Sequence, residues 1–240
     1  MKPTSCLAAL LTIAAACGPD PGKPAVSRVW PAMGTMMSVA VWSEGERRGG
    51  SDSALLERAL DHARDSIDLV DSLFSHGIAA RHGKLRLAPG IAVDSSTIAE
   101  GYALDRAALA LAGVADSALL DLGGQFFWVS ARPTRRMVGI ADPDNSLSTL
   151  AAVEMRGGSV STVAERAPSR SVTVLAPNGV AADAWATAFF SLGCDSALAT
   201  APRLAAWRVS VVCTDSAGVR WTPDLEGRVL LPRALTRARS

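Results

Sequence analysis

The sequence predicts an α+β fold in which mixed or antiparallel sheets pack against helices. Apolar residues between positions 56 and 74 recur at spacings of four and three, which is typical of an amphipathic helix. Downstream, short apolar and β-branched segments follow one another as strands do. Long helices combined with consecutive strands favour this class over a doubly wound parallel sheet. The consecutive strands are predicted at 118–122, 126–130, 137–141, 150–155, 159–164 and 171–176.

The remaining elements flank this run of strands. The alternating segment 38–42 predicts a strand, and the polar, glycine-containing residues 44–53 predict a loop after it. Two more strands are predicted at 84–88 and 207–213, and further helices at 98–112, 181–192 and 195–204.

Length and composition predict one compact domain. The chain has 240 residues, of which 49% are hydrophobic and 20% charged, and its formal net charge is +1. This chain is long enough to bury a large core, and its composition does not indicate disorder. The weak net charge gives no support for nucleic-acid binding.

The N-terminus has the form of an export signal. Lys2 precedes a short apolar stretch at 6–16, and Cys17 follows small residues. The stretch is too short to cross a bilayer. We interpret residues 1–16 as the signal, 17–28 as a tether and 29–240 as one domain. The site before Cys17 resembles a bacterial lipoprotein cleavage site, which predicts a lipid-anchored envelope protein facing the periplasm; ordinary cleavage without a lipid is the alternative.

Two cysteines remain for an exported domain. Cys194 and Cys213 could pair in an oxidising compartment or stay as buried thiols, and the sequence leaves both open. Neither has a histidine at metal-ligand spacing, so zinc is not indicated.

Three segments point to a metal-bound diphosphate. In residues 94–105 an acidic residue and small hydroxyl residues precede a helix, whose first amides favour a phosphate. A capping box formed by Thr97 and Glu100 is the structural alternative. Residues 121–125 contain adjacent glycines, which allow close backbone approach or simply form a turn. Asp183 and Thr187 share a helix face and could direct oxygens at Mg²⁺; the alternative is a helix-terminal charge and a core threonine.

Together with the Met-Gly-Thr sequence at 33–35, these segments resemble the ApbE family of FAD:protein FMN transferases. The resemblance implies an ApbE-like, T-fold-like α+β architecture. It also implies two sets of binding residues. Those for the flavin nucleotide are Met33, Asp94, Glu100, Gly123 and Gly124. Those for Mg²⁺ are Thr97, Asp183, Ala186 and Thr187.

The activity that this resemblance implies is the Mg²⁺-dependent transfer of FMN from FAD to a threonine hydroxyl of a flavoprotein acceptor, with release of AMP. Asp105 and Asp121 are available carboxylates, but the sequence does not identify a general base. Two alternatives remain. One is a degenerate relative that binds metal or nucleotide without transfer, and the other is a structural envelope lipoprotein.

The chain departs from the family pattern in two places. Several dozen residues that help to enclose FAD usually follow the first helix, but here only a short stretch separates Phe74 from the strand predicted at 84–88. A His-Ile-x-Asp-Pro-like segment is replaced by residues 165–169. The sequence therefore resembles a shortened member that keeps its metal and phosphate elements better than its flavin enclosure.

Overall fold

The computed structural model describes residues 23–42, 50–75, 96–132 and 134–232, which form two antiparallel sheets and a layer of helices. The α+β class predicted from the sequence is confirmed. The strands are β1 (Val26–Ala32), β2 (Thr35–Trp42), β3 (Ser117–Leu122), β4 (Gln125–Ser130), β5 (Arg136–Ala141), β6 (Thr149–Met155), β7 (Gly158–Arg166), β8 (Ser169–Ala176), β9 (Ser210–Asp215), β10 (Gly218–Trp221) and β11 (Val229–Leu230). The α-helices are α1 (Gly50–Ser75), α2 (Ser96–Leu111), α3 (Gly179–Leu192) and α4 (Cys194–Thr200).

The larger sheet has eight strands in the order β1-β2-β3-β4-β7-β8-β9-β10, and the smaller has the order β11-β6-β5. Every strand pairing in both sheets is antiparallel. Strands β5 and β6 lie between β4 and β7 in the chain but leave the large sheet, so β4 pairs with β7. The small sheet packs against one face of the large sheet.

Helices cover the opposite face of the large sheet. The amphipathic pattern of α1 buries Leu60, Ala63 and Ile67, and α2 buries Leu104 and Ala107 against the same core. Helices α3 and α4 pack with β8 and β9 around a separate core that includes Phe189. The helix layer therefore brings α2 and α3 side by side above the middle of the sheet.

A disulfide joins Cys194 at the start of α4 to Cys213 in β9, with their Cα atoms 5.7 Å apart. Of the two alternatives left open by the sequence, the structure contains the paired form. The crosslink fastens α4 to the sheet beside the α3 core.

Three predicted boundaries were wrong. Helix α1 begins at Gly50, so the loop predicted at 44–53 ends earlier. The helix predicted at 195–204 ends at Thr200, because a 3₁₀ turn, Ala201–Arg203, follows it. The strand predicted at 207–213 begins at Ser210, since a 3₁₀ turn occupies Ala205–Trp207.

Three strands, β1, β10 and β11, were not predicted at all; β1 forms through its pairing with β2, although its local pattern is weak. The strand predicted at 84–88 lies outside the described residues. None of the helices in the described part of the chain is both long and apolar enough to span a membrane.

Candidate functional site

Two hairpin turns meet at one end of the large sheet. The β1–β2 turn contains Met33 and Gly34, and the β3–β4 turn contains Gly123 and Gly124; all four residues have positive φ, between 50° and 95°. These φ signs are those of the type I′ turn, which suits two-residue hairpins. Since β2 and β3 pair antiparallel, their turns are neighbours, and the amide of Gly123 donates to the carbonyl of Met36 at 3.2 Å.

Helix α2 brings Glu100 to the Gly123 turn. A Cβ added to Gly123 would lie 3.1 Å from Cγ2 of Thr35 and 3.6 Å from Oε1 of Glu100. Gly123 is therefore required by its positive φ and by the limited space above it. Thr35, Glu100 and Gly123, which come from three of the predicted segments, lie together.

Asp183 reaches the same place from α3. Its Oδ1 accepts a hydrogen bond from Oγ of Ser161 at 3.1 Å, and its Oδ2 accepts one from the amide of Gly101 at 3.3 Å. Burial raises the pKa of Asp183 to about 6, although these hydrogen bonds oppose the rise. Burial also raises the pKa of Glu100, and the charge of Asp183 adds to that effect. Neither carboxylate forms a salt bridge with a described residue.

The backbones of α2 and α3 touch at Gly101 and Gly179. A Cβ on Gly101 would lie 2.5 Å from the carbonyl carbon of Gly179 and 2.9 Å from the amide nitrogen of Val180. Real Cβ atoms essentially never come within 3.0 Å of such atoms. Only glycine at these positions permits the contact that places Asp183 beside Glu100.

Asp105 holds the start of α3. Its two oxygens accept hydrogen bonds from the amides of Gly179 and Val180 at 2.5 and 3.1 Å, while Asn178 Oδ1 accepts one from Ala181 at 2.8 Å. Burial raises the pKa of Asp105, and the two amide hydrogen bonds counter it. The first three amides of α3 are thus occupied within the protein, so the N-terminus of this helix is not a free anion site.

Asp121 has a local partner as well. Its Oδ1 accepts a hydrogen bond from the amide of Gly124 at 3.0 Å, and burial raises its pKa. The contact fixes the shape of the Gly123-Gly124 turn. The sequence left Asp105 and Asp121 as available carboxylates; in the structure Asp105 accepts hydrogen bonds from two backbone amides and Asp121 from one.

Sequence reasoning assigned no role to Gln125 or Ser161. Gln125 is only 4% exposed, and its Nε2 donates to the carbonyl of Gly179 at 3.1 Å, linking the Gly123-Gly124 turn to α3. Ser161 donates to Asp183 from β7. The sequence signal for Gln125 was its position directly after the two glycines. The signal for Ser161 was its spacing of two residues from Ser159, which places both on one face of a strand.

The other predicted metal residues are placed as follows. Thr187 lies one turn after Asp183 and is half-buried, while Ala186 is completely buried. Thr97 lies in the first turn of α2, and Asp94 falls outside the described residues. No cluster of three or more His, Cys, Asp or Glu side chains suited to a metal occurs among the residues that the structure describes.

The predicted nucleotide residues other than Glu100 and Asp94 lie in the two turns. Met33 is half-buried against the α1–α2 core, and its amide donates to Oδ2 of Asp71 at 3.2 Å. Gly123 and Gly124 are exposed, but their amides donate within the protein, to the carbonyl of Met36 and to Asp121. The structure thus brings the turns, Glu100 and Asp183 to one end of the sheet.

Comparison with known families matches residues 30–167, more than half of the chain, to the model of the ApbE family. The chain belongs to the ApbE family. This confirms the resemblance predicted from the sequence. The matched range contains both turns, α2 and Ser161, and ends before α3. No curated protein sequence matches the chain significantly.

Solved structures of ApbE proteins share the fold. An ApbE protein from Thermotoga maritima aligns with a TM-score of 0.56 at 14% identity, over 85% of this chain and 98% of its own. The apo flavinyl transferase ApbE from Pseudomonas stutzeri gives a TM-score of 0.53 at 18% identity, over 85% and 96%. The flavin transferase ApbE from Vibrio cholerae gives 0.51 at 14% identity, over 85% and 98%.

Proposed function

We propose that this protein transfers FMN from FAD to a threonine hydroxyl of a partner flavoprotein in a Mg²⁺-dependent reaction that releases AMP. The observation that carries the proposal is the convergence of Thr35, Glu100, Gly123 and Asp183, from segments far apart in the chain, at one end of the sheet. Membership of the ApbE family and the flavin transferases with the same fold support it.

The chemistry of these donors fits a magnesium ion. Glu100 and Asp183 are partly buried carboxylates, the charge of Asp183 helps to raise the pKa of Glu100, and no described residue forms a salt bridge with either. Hard divalent cations prefer such oxygen ligands. On this proposal Asp183 would hold the ion together with Thr97, Thr187 and the carbonyl of Ala186. Bound Mg²⁺ supplies charge neutralisation for the diphosphate.

The exposed Gly123-Gly124 turn supports the nucleotide part of the proposal. Because the turn has no Cβ atoms, a nucleotide can lie close to its backbone. The amides of Gly123 and Gly124 donate within the protein, so the turn offers space rather than hydrogen-bond donors. The hydrogen bonds of Asp121 to Gly124 and of Gln125 to Gly179 fix the conformation of the turn before a ligand binds. In the proposed reaction the acceptor threonine oxygen forms a bond to the FMN-side phosphorus and its proton is released to solvent. The bond from that phosphorus to the bridging oxygen breaks, and AMP leaves with that oxygen.

A metal- and nucleotide-binding protein without transferase activity is the second candidate. It is favoured by the short connection between α1 and α2, residues 76–95, where family members usually carry more residues around FAD. Such a protein would bind FAD with Mg²⁺ but would leave an acceptor unlabelled.

The deciding experiment incubates the purified protein with FAD, MgCl₂ and a threonine-bearing flavoprotein acceptor. We expect flavin fluorescence on the denatured acceptor, with a mass gain of one FMN and matching AMP release. Asp183→Asn keeps the size of the side chain but removes its charge, and loss of several kcal/mol of charge stabilisation predicts at least about a 100-fold slower transfer. Asp65→Asn, an exposed change on α1, is the matched control and should be neutral.

Each result discriminates between the candidates. Labelling that persists with EDTA, or in Asp183→Asn at the wild-type rate, contradicts the metal assignment. FAD binding with no labelling of any acceptor favours the second candidate.

We also propose that the protein is exported and lipid-anchored through Cys17 on the periplasmic side. The apolar stretch before Cys17 supports this location. The Cys194–Cys213 disulfide agrees with an oxidising compartment, since such crosslinks are rare in the cytosol.

A further inference from the structure

The segment 202–208, here called the Trp207 loop, presents an aromatic side chain to solvent. It follows α4; one short 3₁₀ turn, Ala201–Arg203, overlaps its start, and another, Ala205–Trp207, lies within it. Trp207 is 52% exposed, whereas most large apolar residues of the neighbouring core are buried. Burial of this exposed part of the indole ring in an apolar surface would be favourable.

The loop is held in a defined shape. Backbone hydrogen bonds join Leu204 to Ala201 at 3.0 Å and Trp207 to Leu204 at 2.9 Å. Arg208 then has a φ of 50°, a left-handed conformation that is unfavourable for a residue with a Cβ. The chain keeps this conformation and so presents Trp207 at the surface.

The base of the loop is fastened to α3. The ring of Trp207 meets Trp185 edge-on, with centroids 6.1 Å apart, and Trp185 stacks on buried Phe189 at 5.1 Å. One side of the indole thus rests on the core while the other faces outward. This arrangement fixes the direction in which the exposed side points.

The composition of the loop combines apolar and cationic side chains. Arg203 and Arg208 are exposed on either side of Ala205, Ala206 and Trp207, and residues 202–208 contain no acidic side chain. The loop therefore offers a small apolar tip between two positive charges.

We propose that the Trp207 loop inserts into the headgroup region of a membrane that contains anionic phospholipid. Tryptophan is enriched at the membrane interface, where its ring is partly apolar and its N–H stays wet. Arginine is attracted to anionic headgroups while its stem lies along the apolar surface. A stable protein interface usually takes about 20–30 residues from each partner, far more than this loop supplies.

Membrane contact by the loop is independent of flavin transfer. On the large sheet, β9, which follows the loop, lies six strands from β1, where the N-terminal segment joins the domain. A lipid on Cys17 and the Trp207 loop would therefore attach the domain at two separated points. Two such contacts restrict the orientation of the domain on the membrane, whereas one tether leaves the domain free to rotate.

The test uses the full chain on vesicles of phosphatidylcholine and phosphatidylglycerol with bromine on their acyl chains, which quench nearby tryptophans. We expect wild-type fluorescence to be quenched and Trp207→Phe to lose more than half of that quenching. Trp221→Phe is the matched control, because Trp221 is half-buried on β10 and donates to Glu226 at 3.1 Å. The control variant should be quenched like the wild type.

A second variant leaves the packing of Trp207 untouched. Arg203→Gln with Arg208→Gln should weaken attachment of the loop about fivefold for each arginine removed, and only when phosphatidylglycerol is present. Equal quenching of wild type and Trp207→Phe overturns the proposal, as does quenching that neither the arginines nor the anionic lipid affects. If Trp207 becomes less accessible to solvent as the protein concentration rises in the absence of vesicles, the loop instead contacts a second copy of the chain, which would overturn the proposal.

Discussion

Substitution of Gly101 by alanine tests the contact between α2 and α3. The new Cβ would lie 2.5 Å from the carbonyl carbon of Gly179, whereas carbon atoms prefer about 3.5–4.0 Å, so the helices must separate by roughly 1 Å. Overpacking against backbone costs about 3 kcal/mol, and alanine returns about 1 kcal/mol through its higher helix propensity. The net loss of about 2 kcal/mol predicts a melting temperature about 4–8 °C lower.

The assay is thermal unfolding followed by circular dichroism, with flavin transfer measured well below the transition. Transfer should fall as well, because separation of the helices moves the Gly101 amide away from Asp183, now 3.3 Å apart. Gly139→Ala is the matched control: its Cβ would meet Thr149 at an ordinary 3.5 Å and its stability should hardly change. A Gly101→Ala protein that is as stable as the wild type would refute the close helix contact.

Three further outcomes are expected. Asp105→Ala should lower the free energy of unfolding by about 2 kcal/mol in urea titrations, because the amides of Gly179 and Val180 lose a charged acceptor; an unchanged midpoint would contradict the cap. Cys17→Ser should abolish lipid labelling in a bacterial host, and labelling that persists would disprove the anchor. FAD should bind weakly and only with Mg²⁺, and AMP or ADP should compete with it. The reason is that a missing enclosure removes a few kcal/mol of apolar burial, at roughly 25 cal/mol per Å². Binding is measured by flavin fluorescence, and tight binding in the presence of EDTA would contradict this expectation.

Periodicity in the sequence predicted the secondary structure well where the pattern was long. The spacing of four and three in α1 and the alternation at 38–42, in β2, each correspond to an observed element, as do the apolar runs of β3, β4 and β8. Strand β1 was missed because most of its side chains are exposed, so its hydrogen bonds to β2, rather than its composition, determine its conformation.

The candidate site could be predicted as segments but not as contacts. The glycine turn and the Asp183 helix were singled out from their local chemistry. The sequence could not show that Asp105 accepts hydrogen bonds from the amides of a helix that starts 74 residues later, because that contact depends on how α2 and α3 pack. The same holds for Ser161, which donates to Asp183 from a strand whose register is set by its neighbours.

The order of strands in the large sheet has a consequence for folding. Strand β7 pairs with β4 only after the chain has left the sheet to form β5 and β6, and α3 follows one strand later still. Contacts between residues so distant in sequence form slowly, since each requires the closure of a long loop. The groups around Asp183 therefore come together only when the central strands are already paired. During refolding, recovery of flavin transfer should lag behind recovery of β-structure, and a fragment that stops before α3 should retain no partial activity.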